Sequence, residues 1–103
     1  MLEAIDGVAE MTANVDLAAY RRDFALRKAV ERCIEIVSEA SKHIPERMKA
    51  KYPDQPWHEI AAIGNLFRHH YQRVDDQIIW RIATRSLPSL RTAVVALIKE
   101  AGQ

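Results

Sequence analysis

Residues 23–45 read DFALRKAVERCIEIVSEASKHIP. Leu26, Val30, Cys33, Val37, Ala40 and Ile44 follow one another at gaps of four, three, four, three and four residues. That spacing lines up one face of a helix, because side chains three and four apart stack on the same side. The spacing predicts a long helix over about 23–43, ending before Pro45, whose ring disfavours helical geometry in the residue ahead of it.

The pattern continues on both sides. Leu2, Ile5 and Ala9 predict a first helix over 2–11 with those residues inward, and a short helix is expected at 16–21. Pro45, Pro53 and Pro56 mark 45–56 as a connection with room for one helical turn. The next helix opens at Pro56 or Trp57, where proline suits a first turn, and is expected to reach Val74. Asp75 can cap a helix over 76–85. Pro88 is then expected to open a last helix to 101, with Leu90, Val94, Leu97 and Ala101 inward. No stretch alternates with period two for long. The fold expected is all-α: an up-and-down helical bundle of about four to five helices, one domain over 1–103.

The chain has 103 residues, 49% of them hydrophobic, and a net charge of +1. So small a core gains from an oligomeric interface, and a homodimer is expected. Glu3, Asp6, Glu10 and Asp16 give the first twenty residues a net charge of −4, leaving +5 for the remainder. Cys33 is the one cysteine and lies on the apolar stripe, so it is expected to be a buried structural thiol outside any disulfide framework. The N-terminus has no secretory pattern, and no apolar run approaches the roughly 18 residues of a membrane span. A cytoplasmic protein without a membrane partner is expected.

Residues 57–71, WHEIAAIGNLFRHHY, hold three of the four histidines. At about 100° per residue, with Gly64 at zero, Ile60, Ile63, Leu66, Phe67 and Val74 fall between about 200° and 320°, an apolar arc. Asn65, Arg68, His69, Tyr71 and Gln72 fall with Gly64 on the opposite, polar side. A glycine in a helix costs stability, and here it can admit another helix or a nucleic-acid backbone; a solvated face is the plainer alternative. His70 falls in the apolar arc and is expected to be packed and hydrogen-bonded. His58-Glu59 begins like a zinc-protease motif, but Ala62 stands where the second histidine is required, and no Cys/His set has zinc spacing. Neither metal nor cofactor is expected.

The same segment resembles the signature of the HepT family in the HEPN superfamily, Arg-Asn-x-x-x-His-x-Tyr after a Pro-Trp-x-x-Ile start. The matching residues are Pro56, Trp57, Ile60, Asn65, His69 and Tyr71. Residues 30–45 are similar to that family's long central helix, and 75–90 to its following helix. The resemblance implies a HEPN-like dimer whose protomers join their motif helices around a cleft. It also implies a metal-independent ribonuclease, the toxin of a type VII toxin–antitoxin pair. Gly64 stands where the family has arginine, and Arg68, one turn on, is the candidate substitute, with His69 and Asn65 as the other catalytic residues. Tyr71 is the implied target of AMPylation by a cognate MNT-type nucleotidyltransferase antitoxin. Two other readings stay open: a non-catalytic HEPN partner that binds a nucleotidyltransferase, and a helical scaffold with no nucleotide chemistry.

Overall fold

A computed structural model of the chain describes residues 1–69 and 75–102, with Leu66, Arg68 and His69 described by their backbone alone. Helix α1 spans Leu2–Thr12, α2 Leu17–Arg22, α3 Phe24–Ser41, α4 Glu46–Lys49, α5 Trp57–His69, α6 Asp76–Arg81 and α7 Leu87–Ala101. The fold is all-α. Ile82–Ser86 continues α6 into α7 as a π-helical stretch, so the described residues form six separate helical rods against the four to five expected.

Aspartates set the boundaries. The carboxylates of Asp16, Asp23 and Asp75 accept from the amides of Ala19 (2.8 Å), Leu26 (3.0 Å) and Gln77 (2.8 Å), satisfying N–H groups that have no partner within their own helix. Asp23 is at once the last flank of α2 and the cap of α3, in extended backbone (φ −105°, ψ 95°). Asn14 turns α1 toward α2 with φ 62°, a left-handed conformation that asparagine tolerates better than most residues.

Pro88 does not open a separate helix. Its ring removes one backbone donor and clashes with the carbonyl four residues earlier inside a regular α-helix. One turn ahead of it the ladder slips, and the Leu87 amide bonds the Ile82 carbonyl. The wider π turn lets the rod continue through the proline.

α3 lies between α1 and α5, its two most extensive neighbours. The core joins Ile5 and Val8 of α1, Tyr20 of α2, Val30, Ile34 and Val37 of α3, Ile60 of α5, Ile79 of α6, and Leu87, Leu90 and Val94 of α7. The covered face of α3 is wider than the expected stripe. Ile34, Ser38 and Ser41 are buried with Val30 and Val37, while Leu26, Cys33, Ala40 and Ile44 are half-buried. Cys33 is therefore a free, half-buried thiol, and burial raises its pKa against the opposing charge of Arg32. In α1 the inward residues are Ala4, Ile5 and Val8, and Ala9 is exposed; in α7 Ala93 is buried and Ala101 is exposed. A helix that packs against neighbours on two sides buries the flanks of its stripe and can leave the end of the stripe in solvent.

Two polar ties close the bundle across long sequence distances. Arg91 Nε of α7 donates to Asp6 Oδ1 of α1 at 2.6 Å. Glu100 accepts from Lys51 and from the Tyr52 hydroxyl, each at 3.1 Å. The hydrogen bond from Arg91 holds the Asp6 carboxyl below its ordinary pKa, and those from Lys51 and Tyr52 do the same for Glu100. A depressed carboxyl contributes stability above its unfolded-state pKa and loses it as pH falls through the folded value. Thermal melts from near neutrality into the acid range should therefore show a fall in stability that is shallower in Asp6→Asn, with Glu100 accounting for part of what remains. An identical acid limb in that variant would count against the tie.

Candidate functional site

Trp57 anchors the start of α5. Its indole N–H points at the carbonyls of Lys49 (3.1 Å) and Tyr52 (3.0 Å) at the end of the α4 turn. Gln55, just ahead of it, donates to the Ser89 hydroxyl at 2.9 Å and so ties the connection to α7. The Pro-Trp start thus fixes where α5 begins and the direction in which it leaves.

From there α5 packs along α3. Ile60 is buried, and Ile63 and Phe67 are half-buried against the core, as the apolar arc predicts; Leu66, Val74 and His70 lie outside the described side chains. Ser38 of α3 decides the contact. Its hydroxyl donates to the Ala61 carbonyl at 3.1 Å and accepts from the Gly64 amide at 2.9 Å. Ser41 in turn donates to the Ser38 carbonyl at 2.6 Å. Gly64 is buried. Of the two readings of Gly64, a solvated face and a place for another helix, the second is met: its amide bonds α3, where a missing side chain leaves room for a neighbouring helix.

The last turns of α3 and the middle of α5, helices joined by residues 42–56, lie side by side at this contact, so the two form an antiparallel hairpin. Alongside Gly64 runs an open groove of about 440 Å³, lined by Arg32, Glu35, Ile36 and Glu39 of α3 and by His43 in the turn after it. Arg32 is paired with Glu35 at 3.5 Å, and Glu39 with Lys42 at 3.3 Å and with His43 at 3.9 Å. These residues were not candidates in the sequence. The spacing at 32, 35, 36 and 39 marks a single helical face, with His43 just past its end, legible only once α5 is known to lie beside it.

Of the predicted site residues, Asn65 is exposed on α5, in the residue after the buried glycine. Arg68 and His69 form the end of α5. Tyr71 lies outside the described residues, as does His70. Among the described residues no group of three or more His, Cys, Asp or Glu side chains is arranged to hold a metal, and no helix is long and apolar enough to cross a membrane.

A helical bundle with Asn65, Arg68 and His69 at the end of a helix pinned by Pro56-Trp57 agrees with one family. The model for ribonuclease HepT-like proteins matches residues 1–97. The chain belongs to the HepT-like family of the HEPN superfamily. It is 31% identical over 100 residues to a Methanocaldococcus jannaschii protein named "Putative RNase MJ1216", covering 97% of this chain and 83% of that one. It is 35% identical over 89 residues to "Probable ribonuclease HepT" of Thermococcus cleftensis, covering 86% of this chain and 81% of the relative. It is 27% identical over 100 residues to "Putative RNase TTE0752" of Caldanaerobacter subterraneus subsp. tengcongensis, covering 97% and 89%. No solved structure matches the chain.

Within this HepT-like chain the Ser38 contact can be probed directly. Ser38→Ala should cost about 0.5–1.5 kcal/mol, the usual net worth of such a hydrogen bond. Ser38→Leu should cost about 1–3 kcal/mol, because extra volume between close-packed helices forces them apart. Urea titration of the three proteins measures both. A leucine variant as stable as the wild type would mean that the α3–α5 contact is looser than described.

Proposed function

We propose that the chain is the ribonuclease toxin of a type VII toxin–antitoxin pair. The observation that carries this reading is the run Asn65-x-x-Arg68-His69-x-Tyr71 at and after the end of α5, in a chain matched to ribonuclease HepT-like proteins over 1–97. In the proposed reaction the RNA 2′-hydroxyl, an internal nucleophile, attacks the adjacent phosphorus and the 5′-oxygen leaves. His69 transfers a proton at one of these oxygens. Arg68 holds the phosphate and stabilises the charge that develops on it. Asn65, one turn before His69, orients the ring or donates to the phosphate. Positioned acid–base catalysis of this kind needs no metal. A C2 dimer with α5 facing α5 doubles these groups around one cleft.

The antitoxin in this reading is an MNT-type nucleotidyltransferase that transfers AMP from ATP to the Tyr71 oxygen, releasing pyrophosphate. The added bulk and negative charge then repel the RNA phosphate, by the logic that applies to phosphorylation. A second reading, a non-catalytic HEPN partner of such a transferase, is favoured by Gly64. That residue stands at the signature's arginine position and is engaged with Ser38.

Purified chain, free of antitoxin and of AMP, should cleave RNA in the presence of a chelator. His69→Ala and Arg68→Ala should each abolish cleavage at unchanged helical signal, and Arg68→Lys should restore little, since lysine lacks the planar fork. Full activity in Arg68→Ala would remove that residue from the mechanism. An inactive wild type would move the reading to the non-catalytic partner.

The chain should scatter light as a dimer at micromolar concentration. Incubation with the cognate transferase and ATP should add the mass of one AMP to the wild type and none to Tyr71→Phe. A monomer, or equal labelling of both proteins, would contradict the dimeric cleft or the assignment of Tyr71.

A further inference from the structure

The corner between α2 and α3 carries a surface that the α5 segment does not use. Because Asp23 serves both helices, Arg21 and Arg22 end one helix where Phe24, Arg27 and Lys28 begin the next. Phe24 is 64% exposed, the most exposed large hydrophobic side chain among the described residues. The Arg27 guanidinium carbon lies 5.5 Å from its ring centroid and the Lys28 ammonium 5.4 Å. Lys28 also pairs with Glu31 at 3.3 Å. Across residues 20–28 four cations stand against one carboxylate, that of Asp23, which is occupied with the Leu26 amide.

A single exposed apolar side chain needs no explanation. An exposed aromatic ring with two cations held over it, and two more on the preceding turn, is a different object, since a base can displace a cation from the ring while the cation turns to a phosphate. Single-stranded nucleic acids bind to this combination, a base stacking on the ring while phosphates take the cations. Anionic lipid would use the charges but has no need of a ring face.

The position along the hairpin also fits. At about 1.5 Å of rise per residue, Phe24 lies roughly 21 Å from Ser38 along α3, and the His69 backbone roughly 7 Å from Gly64 along α5 in the same direction. The difference, roughly 14 Å along the shared axis, is within reach of a few nucleotides of extended strand.

We propose that Phe24, with Arg21, Arg22, Arg27 and Lys28, is a docking surface for single-stranded RNA, and that it leads the strand toward the end of α5. The direction of that lead rests on the ribonuclease reading; the binding itself does not. The test uses the full chain and an end-labelled 2′-O-methyl RNA of mixed sequence, which lacks the nucleophile and so is not consumed. Fluorescence anisotropy should show Phe24→Ala weakening binding about tenfold and Phe24→Trp retaining it. Arg22→Ala and Lys28→Ala should each lower the slope of log affinity against log salt by about 0.7. Thermal melts of these surface variants should match the wild type.

Wild-type affinity in Phe24→Ala, no binding by the wild type, or tighter binding to phosphatidylserine vesicles than to the RNA would each overturn the proposal. The two readings part cleanly. A chain that binds through Phe24 but cuts no RNA keeps the docking surface and loses the ribonuclease. A chain that cuts RNA while Phe24→Ala binds normally does the reverse.

Discussion

The hydroxyl of Ser38 holds the position on which the rest of the site depends. It contacts the backbone of α5 twice within one turn, at the Ala61 carbonyl and the Gly64 amide. A hydroxyl is well suited to this place, since it can donate and accept at once. The contact sets the height of α5 against α3, and therefore the level along the bundle at which Asn65, Arg68 and His69 stand. Trp57 fixes the near end of the same helix through two carbonyls. Between these anchors α5 has little freedom to slide, and precise placement is what the proposed acid–base chemistry requires.

Much of this was legible in the sequence, and each part that was not has a physical reason. The long helix, the connection at 45–56, the start at Trp57 and the cap at Asp75 follow from apolar spacing, proline and capping chemistry, all local properties. Ser38 and Ser41 read as gaps in an apolar stripe, yet both are buried, because each finds a hydrogen-bond partner. Gly64 falls on the polar side of its own helix and is nevertheless covered by another. Pro88 reads as the start of a helix because the slip at Ile82–Ser86 has no signature in residue type. For Ser38 and Gly64 the deciding neighbour is distant in sequence, so periodicity within one helix cannot reveal it.

The site was legible in a different way. Spacing alone leaves Asn65, Arg68 and His69 as polar residues of one helix, and only the resemblance to HepT proteins suggests the roles proposed for them. The family match supports that resemblance over nearly the whole chain. The groove beside Gly64 adds Arg32 of α3 and His43 just after it to the surroundings of the motif, residues that no motif on α5 could have named. Charge follows a similar division. The acidic first twenty residues include Asp6, which Arg91 engages on α7, while cations gather at the α2–α3 corner.

The π-helical stretch has a consequence for the phase of the last rod. A π turn holds more residues than an α turn, so the side chains after it are rotated about the axis relative to those before it. Ile79 of α6 enters the core where that helix packs against α2, while Leu87, Leu90 and Val94 enter it where α7 packs against α1. One continuous rod thus addresses two neighbours that a uniform helix would face with a single stripe. Its tolerance to change is correspondingly uneven: substitutions between Ile82 and Ser86 alter side chains, whereas losing one residue there would return the rod to even pitch and turn one half's apolar face out of register with the other.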